Sequence, residues 1–216
     1  MKQFLYIFTL LFALLSCKNE VKSNEIVLSN PTEIIQDSFI VKPNSFAEKL
    51  SNAAISIIDD EIIYTPSYVS IKYPNGDVPA KTGVCTDVII RAYRKLGIDL
   101  QKEVHEDMKV NFSKYPKTWG LIKTDTNIDH RRVPNLELFF ESKGEKLNAS
   151  QNASDYKTGD LVTWMINGKL PHIGIVTHLK SDDGKRNLIV HNVGGGQVLQ
   201  DCLITWVIVG HYRYGN

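Results

Sequence analysis

Three residues far apart in the chain have the types and settings needed for acyl transfer: Cys85, His172 and His191. Cys85 stands where a loop gives way to an amphipathic run, Val88, Ile89, Ala92, Tyr93 and Leu96 on one helical face, closed by Gly97. A thiol in the first turn of a helix faces unpaired backbone N–H groups and the positive end of the dipole, which favour the thiolate. A cysteine nucleophile also needs a base and a group that orients the base. His172 opens one β-rich run and His191 ends the next, with the turn Asp182-Asp183-Gly184 between them. Antiparallel pairing through that turn brings both imidazoles to one sheet edge, with Cys85 as nucleophile, His172 as base and His191 as orienting partner. Asn192 is the rival for the third role, but strand alternation sends it to the other face from His191.

The same residues have other uses. Cys85 could be a small core residue, or pair with Cys202 in a disulfide that would consume the nucleophile. Cys85, His172 and His191 could converge on zinc, although neither C-x-x-C nor H-E-x-x-H occurs. His105, His178 and His211 read as surface or satisfied core histidines. Gly194-Gly195-Gly196 has no following phosphate-loop helix and reads as a turn. Asp129-His130-Arg131-Arg132 concentrates polar groups: Arg131 and Arg132 could hold a substrate carboxylate through paired guanidiniums, or form a solvated loop or ion-pair cluster. Asp87 could pair with one of these arginines or face water in the first helical turn.

The elements that must position these groups are legible. Ser45 and Glu48 have capping-box spacing before a helix carrying Phe46, Leu50, Ala53, Ala54 and Ile57. Tyr68–Tyr73 alternates and reads as a strand ending at Pro74-Asn75-Gly76. A polar surface helix is expected over 101–111, and a helix with Pro134 in its first turn, stopped by Gly144. Runs 160–166, 172–178, 187–192 and about 205–214 read as antiparallel strands, the first two joined by Asn167-Gly168. Helices first and strands after is an α+β pattern, with helices on one side of a curled antiparallel sheet.

The N-terminus is a basic start, an apolar run from Phe4 to Leu15 too short to span a bilayer, and Leu14-Leu15-Ser16-Cys17. It resembles a lipoprotein signal with its lipobox. The expected organisation is therefore a signal over 1–17 with Cys17 lipidated, a polar tether over 18–44 in which 26–28 and 39–41 could pair briefly, and one domain over 45–216. That resemblance implies a lipid anchor to a bacterial membrane and an envelope location, periplasmic or surface-exposed. With 25 Lys and Arg against 24 Asp and Glu, net charge +1, no electrostatic footprint for nucleic acid exists.

The phrases Gly83-Val84-Cys85-Thr86-Asp87, Asn127 to Leu136, Gly159-Asp160-Leu161-Val162-Thr163-Trp164, Pro171-His172-Ile173-Gly174-Ile175-Val176, His191-Asn192 and Gly210 to Tyr214, in that order, resemble the DUF1287 family. That family resembles in turn the NlpC-type cysteine peptidases of the papain-like clan. The resemblance implies a papain-like α+β fold, a Cys-His-polar triad and hydrolysis of amide bonds in peptidoglycan stem peptides, with no cofactor. The chain has Val84-Cys85-Thr86-Asp87 where NlpC-type enzymes carry Asp-Cys-Ser-Gly, so an oxyanion donor would be the N–H of Cys85 or its neighbours. Those enzymes also bring a Tyr about a dozen residues before the Cys toward the oxyanion; Tyr73 has that spacing, and equally suits core packing. The competing function is a non-catalytic envelope module binding peptidoglycan or a protein.

Overall fold

The structure is a computed structural model and describes residues 39–215. The signal, lipobox and Cys17, most of the tether, and the 26–28 pairing lie outside the described residues. Residues 39–41 are exposed and form no strand.

Ser45 caps α1 (Phe46–Ser56), the first helix among the described residues, its hydroxyl accepting from Glu48 N at 3.2 Å. The Glu48 carboxylate reaches back to Asn44 N, one residue before the cap, at 2.6 Å. Two-residue strands β1 (Ile63–Tyr64) and β2 (Thr82–Gly83) pair in parallel and deliver the chain to α2 (Cys85–Lys95). Asp99 caps α3 (Leu100–Asn111), accepting from the N–H groups of Gln101 and Lys102. Buried Leu100, Val104 and Met108 make α3 half a core helix rather than a surface one. Pro134 lies in the first turn of α4 (Val133–Lys143), which Gly144 ends.

Residues 68–73 are not a strand. Side chains take two of their backbone groups: Ile71 N donates to Asn127 Oδ1 at 2.9 Å, and the Gln101 amide donates to Lys72 O while also accepting from Gly76 N beyond the segment. Those two groups need no ladder partner, and an alternating pattern alone does not make a strand.

The C-terminal third forms a six-stranded sheet of β3 (Glu145–Lys146), β4 (Leu161–Ile166), β5 (Leu170–Lys180), β6 (Asn187–His191), β7 (Val198–Gln200) and β8 (Val207–Arg213). The order is β3-β8-β4-β5-β6-β7, and every neighbouring pair is antiparallel. Asn167 and Gly168, both at positive φ, make the tight β4–β5 turn. The sheet overturns the papain-like, curled-sheet expectation: it is an open α+β sheet with β3 and β7 as its edges. Closure requires a continuous ladder with consistent tilt and stagger, and edges of two and three residues do not carry one.

Both sheet faces are covered. Leu161, Ile173, Ile175, Val190 and Tyr212 join the core made with α1, α2 and α4. Val162, Trp164, Val176, Ile189 and Ile208 meet Tyr156, Cys202, Leu203 and Trp206 on the other face. Burying side chains of this size contributes about 1.5–3 kcal/mol each. The indole N–H of Trp164 donates to Leu203 O at 2.9 Å, so the loop before β8 is tied down as a lid on that second core.

Candidate active site

β5 carries His172 two residues into the strand, and β6 carries His191 at its end. The turn between them brings the rings together: His172 Nε2 lies 2.9 Å from His191 Nδ1. Gly174 makes room for this contact. A Cβ there would sit 2.6 Å from Ile189 Cγ2 and 3.2 Å from His191 Cβ, so only glycine allows the close approach. Trp164 and Trp206 flank the pair, with ring centroids 5.6 Å from that of His172. His172 is 1% exposed and His191 fully buried.

Ring-nitrogen accounting sets the tautomers. His191 Nε2 lies 2.9 Å from the side-chain oxygen Oε1 of Gln200, which only accepts, so His191 carries its proton on Nε2. A neutral His191 then accepts at Nδ1, and His172 donates from Nε2. The one lone pair left on His172 is on Nδ1. Burial, and then the neighbouring charge of His191, push His172 down to about 3, and burial lowers His191 as well. The pair is neutral at neutral pH.

Two thiols lie nearby, and both are free, which removes the disulfide alternative. Cys202 Sγ is 3.5 Å from His191 Nε2, so Cys202, His191 and His172 cluster in a triad-like arrangement. Cys202 is sealed in the apolar core with Trp164, Leu203 and Ile208. Cys85 opens α2, and the backbone N–H of Ile173, the amide that joins His172 to Ile173, acts on its sulfur. The Cys85 thiol also lines a cleft of about 360 Å³ whose walls include Tyr64, Tyr68, Trp119, Arg131, Arg132 and Pro171.

The thiolate expected of Cys85 is not found. Burial pushes its thiol up to about 12, and the N–H groups of Ile173, Thr86 and Cys85 itself offset only part of this. Desolvation outweighs the helix terminus because Cys85 is only 4% exposed. Burial likewise pushes Cys202 up to about 12.

The remaining expected site residues divide. Arg131 is buried and grips Asp87 through Nε and Nη2, at 2.8 and 3.0 Å. Asp87 also accepts from Val84 N at 2.7 Å, so one carboxylate fixes both the start of α2 and the arginine. The Arg132 guanidinium lies 4.3 Å from the ring centre of Trp119. Tyr73 is outside the cleft, 37% exposed and edge-on to His105. The tyrosine beside the thiol is Tyr64, pushed up to about 12 by burial and by the proximity of Cys85 and Asp87. Asn192 is used within its own loop, accepting from Gly194 N. His105, His178 and His211 are occupied by Asp129, Ser51 and Asp160. Among the described residues no three His, Cys, Asp or Glu side chains converge as a metal-binding group.

Gln200 and Tyr64 escaped sequence reasoning, and Cys202 entered it only as a possible disulfide partner. Gln200 lies on β7, a three-residue strand with no turn signal of its own, and its relation to His191 comes from pairing with β6.

The family model described as a domain of unknown function, DUF1287, matches residues 51–214. The chain belongs to the DUF1287 family. Among curated proteins, the uncharacterized protein YijF of Escherichia coli (strain K12) is 48% identical over 165 residues, 76% of this chain and 80% of that protein. The match to the DUF1287 model spans Cys85, His172, His191, Gln200 and Cys202, so the whole cluster lies within the family domain.

Proposed function

We propose that this DUF1287 protein is a cysteine hydrolase of the cell envelope that cleaves an amide or peptide bond, with Cys85 as nucleophile, His172 as base and His191 as orienting partner. Peptidoglycan stem peptides are the substrates to test first. The observation that carries the proposal is the position of the Cys85 sulfur. Cys85 lines an open cleft at the start of α2 and takes the N–H of Ile173 on its sulfur, while the His172 ring lies across the sheet from it among Trp164, Trp206 and His191.

Both partners start neutral. Attack on a carbonyl carbon forms the carbon–sulfur bond as the thiol proton leaves, and His172 takes that proton on Nδ1 only when its ring turns from the Trp164 and Trp206 face toward Cys85. The carbonyl oxygen meets backbone N–H groups at the start of α2. His172 then returns the proton to the leaving amine, and a water deprotonated by the same nitrogen hydrolyses the thioester.

A second assignment follows from the 3.5 Å contact of Cys202 with His191, which would make Cys202 the nucleophile. Cys202 does not line the cleft that Cys85 lines, which speaks against it. The two separate on incubating purified peptidoglycan with Cys85→Ala and Cys202→Ala proteins and weighing the released fragments by mass spectrometry. Release lost only in Cys85→Ala supports the proposal. Release lost only in Cys202→Ala overturns the assignment, and release by neither the variants nor the wild type favours a binding module.

A further inference from the structure

The Cys85 cleft contains polar atoms that the fold leaves unused. Thr86 Oγ1, Arg131 Nη1 and Arg132 Nη1 are all buried without a hydrogen-bond partner, and all three residues line the same cleft. Thr86 is 1% exposed and Arg131 6%. Leaving buried donors unmade is costly, and a cation more so, so three at one place mark where a ligand's acceptor belongs. We infer that this cleft binds a carboxylate of the substrate between Thr86 Oγ1, Arg131 Nη1 and Arg132 Nη1, so that the substrate is a peptide with a free carboxylate close to the bond presented to Cys85.

Charge and shape select the ligand class. Arg131 is already neutralised by its two-point grip on Asp87, which uses Nε and Nη2 and leaves only Nη1. Asp129 and Asp125 act on Arg132 through space, and its pairing is with the Trp119 ring. One hydrogen-bond-free guanidinium plus two further donors matches a monoanion with two oxygens better than a phosphate dianion. Tyr64, Tyr68, Trp119 and Pro171 supply apolar walls for the attached chain. Arg131 cannot swing away to serve another purpose, because Asp87 is anchored on Val84 N at the start of α2.

The inference deepens the hydrolase proposal by naming the substrate class at the same cleft, and its test does not depend on turnover. Iodoacetate and iodoacetamide have nearly the same shape and differ in charge. Their alkylation rates at Cys85, read site by site by mass spectrometry of peptides, give a ratio in which changes of thiol acidity cancel. Arg132→Gln should lower the iodoacetate-to-iodoacetamide ratio roughly tenfold relative to wild type, while Arg132→Lys, which keeps the charge, retains most of it. A ratio unchanged in Arg132→Gln, or a Cys85 that neither reagent reaches, overturns the carboxylate site. Loss of peptidoglycan cleavage with the ratio effect intact would sink the hydrolase alone.

Discussion

His172 Nε2 and His191 Nδ1 face each other at 2.9 Å inside a wall of tryptophans, and a glutamine on the next strand fixes which of the two carries the bridging proton. In a site sealed from water this order persists, because no solvent competes for the ring nitrogens. The Cys202 thiol lies 3.5 Å from His191 Nε2 and packs on the same sheet face as the histidine pair.

Under the hydrolase proposal Gln200 is a positioning residue acting through His191. Gln200→Ala frees His191 Nε2 and lets the chain of donors reverse, leaving His172 protonated on Nδ1 for part of the time. Steady-state kinetics should show kcat reduced about tenfold with KM unchanged. A KM effect of the same size would argue for substrate contact instead.

Gly174→Ala should remove activity while the protein stays folded. The added methyl collides with Ile189 and presses on the His191 Cβ, so the imidazoles separate. The stability cost is expected at about 1–3 kcal/mol by denaturant melts. A fully active variant would show that the histidine contact does not matter.

The thiol titration has a clear sign. With Cys85 raised to about 12, its alkylation by iodoacetamide should climb about tenfold per pH unit from pH 7 to 10, with no plateau near neutrality. A plateau below pH 8 would instead reveal an ion pair with His172.

Acid should destabilise the fold. Burial holds both His172 and His130 down at about 3, so between about pH 6.5 and 3 the unfolded chain binds protons that the folded one refuses. Stability from these groups is complete above pH 6.5 and is lost as pH falls through that window. Thermal melts at pH 7, 5.5 and 4.5 should show a Tm falling with each step; a flat Tm would contradict the neutral buried histidines.

Asp87→Ala leaves the Arg131 charge buried without its partner and removes the anchor at Val84 N. Breaking such a pair costs about 3–5 kcal/mol. Urea midpoints compared with wild type measure this directly, and a loss below about 1 kcal/mol would mean that Arg131 finds another acceptor.

Local chemistry was legible in the chain itself. Ser45 as a cap, Cys85 opening a helix, Pro134 within a first turn, the Asn167-Gly168 turn and the two strands bearing His172 and His191 all depend on residues a few positions apart, and all are present. Family membership was legible for the same reason, being carried by phrases of contiguous residues. Tertiary structure decided what depends on distant neighbours. Asn127 and Gln101, distant in sequence, take backbone groups of Ile71 and Lys72 in place of a ladder partner. Short edge strands leave the sheet open, and Asp87 takes the arginine fork. The ionisation of Cys85 was the sharpest case: a helix start favours the thiolate by local dipoles, but the core packed over the sulfur excludes the water that a charge requires, and exclusion of water is a property of the whole fold.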